Sequence, residues 1–328
     1  MWLISYRGEG KSGVDIIGVF EDDGSPRKKH PLLLDPSPDA RPLHIARGFA
    51  QVGDDLYIAS AWRKDSHVAR YHRSGDTFRF ADVVVTSKHV AAMIHPFDVK
   101  LGDDGRLYVS CQDTNTVLAI LPKTRKPAPV APHLRKRFPN GSFLPGTLVA
   151  SSQGRLPECG EHAPLDVPSP QGLGVVLDVH GRPRHSVRGI IVHHRNLYVA
   201  DEAGDVVKIF ELASGRLVAH IKGKKLTKPV HLVLHGETLY IGASGTGTIL
   251  AYDIPKVVPR GKLKARVVID GKLKAPSGLA IGPDGDLYVA ERFDQRVRRF
   301  SITGKKKGTF IDGLPDMPEF LMHVPDRP

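Results

Sequence analysis

The sequence predicts an all-β protein in which four-stranded antiparallel units repeat around a closed ring. Three observations carry this. The 328 residues include 33 Gly and 26 Pro with only 7% aromatics, a composition that suits short strands joined by tight turns and not a helical bundle. Leu-Tyr followed by a β-branched residue recurs at Leu56-Tyr57-Ile58, Leu107-Tyr108-Val109, Leu197-Tyr198-Val199, Leu239-Tyr240-Ile241 and Leu287-Tyr288-Val289. The neighbours of each copy stand at nearly constant distances, and a unit of this kind buries its faces only against further copies.

Each unit reads in the same order. An inner strand begins near a small or polar residue: Gly48, Asp98, Gly189, His231 or Gly278. A turn follows, as in Gly282-Pro283-Asp284-Gly285-Asp286, which favours tight reversal. The Leu-Tyr strand comes next, then a loop and a third strand ending on Tyr71, Ile120, Phe210, Tyr252 or Phe300. Segments such as Arg266-Val267-Val268-Ile269 and Gly308-Thr309-Phe310-Ile311 supply the fourth strand. A sixth unit is split. Trp2-Leu3-Ile4-Ser5 and Ile16-Ile17-Gly18-Val19-Phe20 are its second and third strands, and the segment from Pro318 to Val324 supplies its first, so main-chain hydrogen bonds between the two ends close the ring.

The gap between Tyr108 and Tyr198 is about twice the usual spacing. A seventh unit with Thr147-Leu148-Val149-Ala150-Ser151 as its second strand is the alternative. The stretch before it, His133 to Gly146, is basic and turn-rich where a buried strand is needed. Six units and a long insertion, Pro122 to about Pro170, fit better, with Leu173-Gly174-Val175-Val176-Leu177 returning as an outer strand. A loop of that length commonly serves as a lid or interface. The whole chain, 1–328, is read as one domain.

The pattern resembles the NHL repeat, and the stretch from Pro276 to Glu291 is its closest copy. The resemblance covers most of the chain, weakest between about 122 and 187. It implies a β-propeller, here six-bladed, distantly similar to the gluconolactonase-like and strictosidine-synthase-like propellers.

Composition narrows the rest. Lys and Arg exceed Asp and Glu by enough to give a net charge of +12. The basic residues fall in short scattered clusters such as Arg27-Lys28-Lys29 and Lys305-Lys306-Lys307, without the interleaved aromatics of single-strand binders; this points away from nucleic acid. No stretch approaches the ~20 apolar residues of a membrane span. The start, Met1-Trp2-Leu3-Ile4-Ser5-Tyr6-Arg7, lacks the pattern of a secretory leader, so a cytoplasmic protein is expected. Cys111 and Cys159 form neither a disulfide framework nor a metal signature. Gly10-Lys11-Ser12 ends like a P-loop, but Ser5 stands where the first glycine is needed and a strand follows. No nucleophile elbow or zinc-protease helix motif is present.

In the propeller that the resemblance implies, residues before the inner strands and after the Leu-Tyr strands meet at one mouth of the channel. Before the inner strands stand Arg47, Phe97 with Asp98, Arg188, His231, Ser277 and Glu319. After the second strands stand Ser5, Ser60, Cys111, Asp201 with Glu202, Ala243, and Glu291 with Arg292. Tyr6, Arg7, His44, Trp62, His95, Asp113 and Ser244 extend the set. Converging ionisable groups in a concavity mark a ligand site. His231 takes the place of a glycine in three other units and is the leading general base; Glu291 and Asp201 are the companion carboxylates, Glu291 with Glu319 on a neighbouring unit. Structural pairing competes with this reading, with Asp201–Arg188 the expected pair. Arg47, Trp62, His95, Asp98, Arg188, Ser277 and Glu319 are the expected ligand contacts, and Arg7, Arg47, Arg188 and Arg292 favour an anionic small molecule or short peptide.

The gluconolactonase-type resemblance implies a divalent metal on channel carboxylates and Asn, but Arg47, Arg188 and Ser277 occupy those places, and arginines oppose a dication. Zinc-dependent NHL-type lyases imply channel histidines; His95 and His231 match, a third does not, and His193-His194 fall in a turn at the opposite mouth. No cofactor is therefore expected, with Ca or Zn left open. The expected function is a hydrolase or lyase working by acid–base chemistry at the channel mouth; the alternative is a non-catalytic interaction scaffold.

Overall fold

The computed structural model describes residues 1–8, 17–27, 33–34, 43–88, 93–121, 126–127, 148–151, 186–212 and 217–325. Among these, six small sheets are arranged as the blades of a propeller, and the one helical element is the single 3-10 turn Arg63–Asp65. The first blade is the split one: Pro318–His323 pairs antiparallel with Trp2–Tyr6, which pairs with Ile17–Phe20. The second runs Ala46–Val52, Asp55–Ser60, His67–Ser74, Thr77–Thr86 from the channel outward. The third has Pro96–Leu101, Leu107–Cys111 and Thr116–Leu121, the fourth Val187–His193, Asn196–Asp201, Val206–Glu211 and Leu217–Ile221. The fifth has Pro229–His235, Thr238–Ala243, Thr248–Asp253 and Arg266–Ile269, and the sixth Pro276–Ile281, Leu287–Glu291, Arg296–Phe300 and Lys306–Ile311. Each inner strand packs beside the inner strands of the blades before and after it, so the ring is closed.

Two blades carry an extra parallel strand on the outer edge, Leu33–Leu34 on the second and Gly261–Leu263 on the fourth. Such an addition covers an otherwise open edge. Leu148–Ser151 pairs with Thr116–Leu121 as an outer strand of the third blade, not as the second strand of a separate one. Apart from residues 126–127 and 148–151, the insertion expected from Pro122 to Pro170 lies outside the described residues, as does Leu173–Leu177. No described helix is long and apolar enough to cross a membrane.

The repeat earns its residues through packing. The Leu and Tyr of the second strands are buried between blades. Tyr108 donates its hydroxyl to Asp104 Oδ2 at 2.6 Å and Tyr288 to Asp284 Oδ2 at 2.9 Å, so the turn carboxylate and the aromatic four residues later hold each other. Gly282 lies under the Tyr288 ring, where a Cβ would come within 2.3 Å. The conserved spacing of turn glycine, Asp and Tyr within this chain is therefore one packing unit.

Candidate functional site

All six inner strands begin with a β-bulge, and the bulges build the site. Ala46 pairs with Ser60 and Phe49 with Ile58, so Arg47 and Gly48 oppose one residue. Register shifts of the same kind single out Phe97, Arg188 with Gly189, Val230, Ser277 with Gly278, and Glu319. A bulge breaks strict alternation and re-aims a side chain. Arg47, Phe97, Arg188, Val230, Ser277 and Glu319 are thus equivalent positions at one mouth of the channel. One residue further along each inner strand stand Gly48, Asp98, Gly189, His231, Gly278 and Phe320.

That second ring alternates. A Cβ on Gly48 would press on Asp98, one on Gly189 on His231 and Val230, one on Gly278 on Phe320 and Leu321. The glycines let the next blade approach, and the intervening residues reach into the blade after. Asp98 Oδ2 accepts the amide of Ile190 at 3.0 Å; His231 Nδ1 accepts the equivalent amide of Leu279 at 2.9 Å. The Phe320 ring lies 4.9 Å from Phe97 and 4.8 Å from His231. The two Phe320 ring contacts join blades that are not neighbours, so they span the channel and divide it.

Above this division is a mouth rich in arginine. Glu319 accepts Arg292 Nη2 at 2.7 Å and lies 3.9 Å from Arg47 Nη1. Arg188 bonds Glu202 through Nε at 2.7 Å and lies over the Phe97 ring at 5.1 Å. Burial lowers the pKa of Arg47; Glu319 opposes the shift, while Arg292, Arg188 and Arg7 add to it. Three further guanidiniums therefore stand within electrostatic reach of Arg47. Arg47 Nη1, Arg188 Nη1 and Arg292 Nε are buried with no hydrogen-bond acceptor among the described residues. Leaving a buried donor unmade costs roughly 1–3 kcal/mol, more for a charged group.

The remaining expected site residues have these places. Asp201 Oδ1 accepts the amides of Ser186 and Gly204 at 2.8 and 3.1 Å, and Oδ2 pairs with Lys208 at 3.1 Å. The expected Asp201–Arg188 pair is replaced by Glu202–Arg188. Asp201 is still in the strand ladder opposite Val187, whereas Glu202 is the first residue beyond it. Glu291, at the same position of the sixth blade, accepts Lys274 N at 2.8 Å, Arg296 Nε at 2.6 Å and Arg298 Nη1 at 3.5 Å. Both carboxylates bind their own blade together, and His231 and Glu291 share no bond. Ser277 donates to Pro318 O at 2.6 Å, latching sixth blade to first. His95 Nδ1 lies 3.4 Å from Asp113 Oδ1; burial raises the Asp113 carboxyl, but His95 and Arg63 outweigh it and hold it low. Trp62 is partly exposed and packs on His44 at 4.2 Å between ring centres.

Below the division, His231 and Lys100 line a cavity of about 360 Å³ walled by Phe49, Ile191, Ile281 and Phe320. Burial, reinforced by Lys100, pushes the pKa of His231 well down. With Nδ1 accepting an amide, the proton of the neutral ring sits on Nε2, which has no partner among the described residues. Lys100 Nζ binds Asp98 Oδ1 at 2.8 Å, yet burial outweighs this and raises the Asp98 carboxyl. Lys100 was missed as a site residue; it stands two residues after Asp98 on an inner strand and so shares its face.

No protein-family model matches the chain, and no curated protein does. Solved structures do. A chain of the nidogen–laminin complex superposes with TM-score 0.58 at 12% identity, over 98% of this chain and 96% of that one. The periplasmic gluconolactonase of Pseudomonas aeruginosa gives 0.56 at 13%, over 99% of both chains. Virginiamycin B lyase from Staphylococcus aureus gives 0.51 at 11%, over 84% and 73%. The chain is a six-bladed propeller. At these identities the likeness is one of fold, and the NHL resemblance rests on the repeat residues that carry it.

Proposed function

We propose that the chain binds a small anionic molecule at the arginine mouth and acts on it by hydrolysis or elimination. The observation that carries the binding is the set of three buried, acceptor-less N–H groups from Arg47, Arg188 and Arg292 on three different blades. A carboxylate or phosphate offers the planar or tetrahedral oxygens that such donors match. Phe97, beneath Arg188, gives an apolar floor.

The reaction class is in keeping with the gluconolactonase and the virginiamycin B lyase that share the fold. The proton-transfer group that the mouth offers is Glu319, set between Arg47 and Arg292. The residues first suggested by the repeat, His231, Glu291 and Asp201, supply structure beside it: an amide acceptor in one case and intrablade ion pairs in the others. A non-catalytic scaffold is the second reading, favoured by the Phe97–Phe320–His231 contacts, which place packed rings across the channel beneath the mouth.

Calorimetric titration with inorganic phosphate, gluconate and a short acidic peptide tests binding. One of the small anions should bind and lose at least tenfold in affinity in Arg47→Gln and Arg188→Gln. No bound small anion, or affinities indifferent to both changes, overturns the site. Turnover of 6-phosphogluconolactone, an anionic lactone, is then compared between the native chain and Glu319→Gln; anion binding without turnover of it rejects the lactonase reading and leaves a binding module.

A further inference from the structure

The opposite face of the ring carries a second constellation. The hairpin between the first two strands of the fourth blade turns through His194 and Arg195, and His193 pairs with Asn196 across it. In the adjacent fifth blade the equivalent hairpin turns through Gly236 and Glu237. His193 Nε2 lies 3.0 Å and His194 Nε2 2.8 Å from the same oxygen, Glu237 Oε2. The two imidazoles stack with ring centres 3.8 Å apart. All three candidate ligand atoms fall within 4.8 Å of one another.

The backbone that sets this up is strained. His194 has φ +47° and Arg195 φ +62°. Gly53 and Gly236 occupy the equivalent first turn position in the second and fifth blades, with φ of +60° and +55°. Positive φ at both central residues makes the His194-Arg195 turn type I′, whereas the sister turns have it only at their glycine, as in type II′; glycine is the natural occupant of such a position. A histidine held there is strained, and the turn is pinned to bear it. Asp103 Oδ2 accepts His194 N at 3.2 Å, Asn196 Nδ2 donates to His194 O at 2.9 Å, and Leu212 N donates to Arg195 O at 2.9 Å. Glu237 is pinned likewise, by Ile254 N on its carbonyl at 2.8 Å.

We propose that His193, His194 and Glu237 form a Zn²⁺ site joining the fourth and fifth blades. In a tetrahedral zinc site with ligand bonds of about 2.0–2.1 Å, donor atoms stand roughly 3.3 Å apart. The observed separations to Glu237 Oε2 need only a few tenths of an ångström of opening. Two imidazoles and one carboxylate suit zinc, whereas calcium calls for six or more oxygens. Three protein ligands leave the fourth position to solvent, the arrangement of exchangeable and catalytic zinc. The site borders a cleft of about 970 Å³ whose other walls include Asp103, Arg106, Arg195 and Lys256. It is separate from the arginine mouth, so the two proposals stand or fall apart.

The test is zinc titration of the chelator-treated, full-length chain against a competing chromophoric chelator, at about pH 7.5 and about pH 5.5. One Zn²⁺ per chain is expected at the higher pH, with affinity at least tenfold weaker at the lower, because protons compete with a metal for its ligands. His194→Gly restores the residue that the sister turns use, so it should fold at least as well as the native chain. It and Glu237→Gln should each weaken zinc at least tenfold, and Co²⁺ should lose its tetrahedral visible spectrum in both. No stoichiometric zinc at the higher pH, or zinc affinity unchanged in His194→Gly and Glu237→Gln, overturns the site. The first outcome would leave a cluster held by hydrogen bonds alone.

Discussion

Burial keeps the His231 ring neutral in the fold, and that has a pH signature. The folded pKa lies well below the ordinary value near 6.5. The unfolded chain takes up a proton below that value and the folded chain does not, so this contribution is complete above about pH 6.5 and lost as pH falls. The urea midpoint should therefore drop between about pH 7 and pH 5. His231→Gln keeps an acceptor for the Leu279 amide without a titrating ring, and its profile should be flatter over that window. Parallel profiles for the two proteins would show that His231 is not what sets the slope. The same residue shows where sequence reasoning stops. A histidine in place of a repeated glycine is visible in the repeat. That its Nδ1 is spent on a neighbouring blade's bulge amide depends on the register shift after Pro276, which no single repeat reveals.

At the scale of the strand, the bulges turn glycines into fixed points. A Cβ on Gly189 would stand 2.8 Å from Val230 O and 3.0 Å from the Cα of His231, both backbone atoms with little room to give. Gly189→Ala should destabilise by about 1–3 kcal/mol, the usual cost of overpacking. Gly242, on the second strand of the fifth blade, has ordinary contacts at 3.5 Å and no left-handed φ. Gly242→Ala should be neutral or stabilising by up to about 1 kcal/mol, because alanine restricts the unfolded chain more. Equilibrium denaturation of both variants checks the contrast; equal costs would mean that the inner strands are not close-packed at the bulge. Strand order and the turn–tyrosine unit were legible because both repeat. The Glu202 partner of Arg188 was not, since a shift of one residue past the end of a ladder exchanges which carboxylate faces the mouth.

The ring as a whole is held by its ends meeting in one blade. Trp2–Tyr6 pairs with Pro318–His323, and Val324 N donates to Met1 O at 2.8 Å. Removing the residues from Met317 onward exposes the second strand of the first blade and the inner faces of the second and sixth. Such a chain should lose its cooperative unfolding transition and bind a dye for exposed apolar surface; a sharp transition near the native midpoint would show that five blades suffice. The closure was readable from the missing first strand at the N-terminus and the spare one at the C-terminus. The arginine mouth was readable as a set of residues. The burial of three of its donors was not, because it depends on side chains from several blades converging at one point.

The alternation of glycine with Asp98, His231 and Phe320 one step inside the mouth makes blade number a matter of parity. Large and small can take turns around a ring only when the ring has an even number of members. A seventh blade inserted anywhere would set two large residues, or two glycines, side by side, like an odd circle of spins that cannot all oppose their neighbours. The inner wall of this channel is therefore patterned as three pairs of blades, and a change in one member of a pair is a constraint on the other.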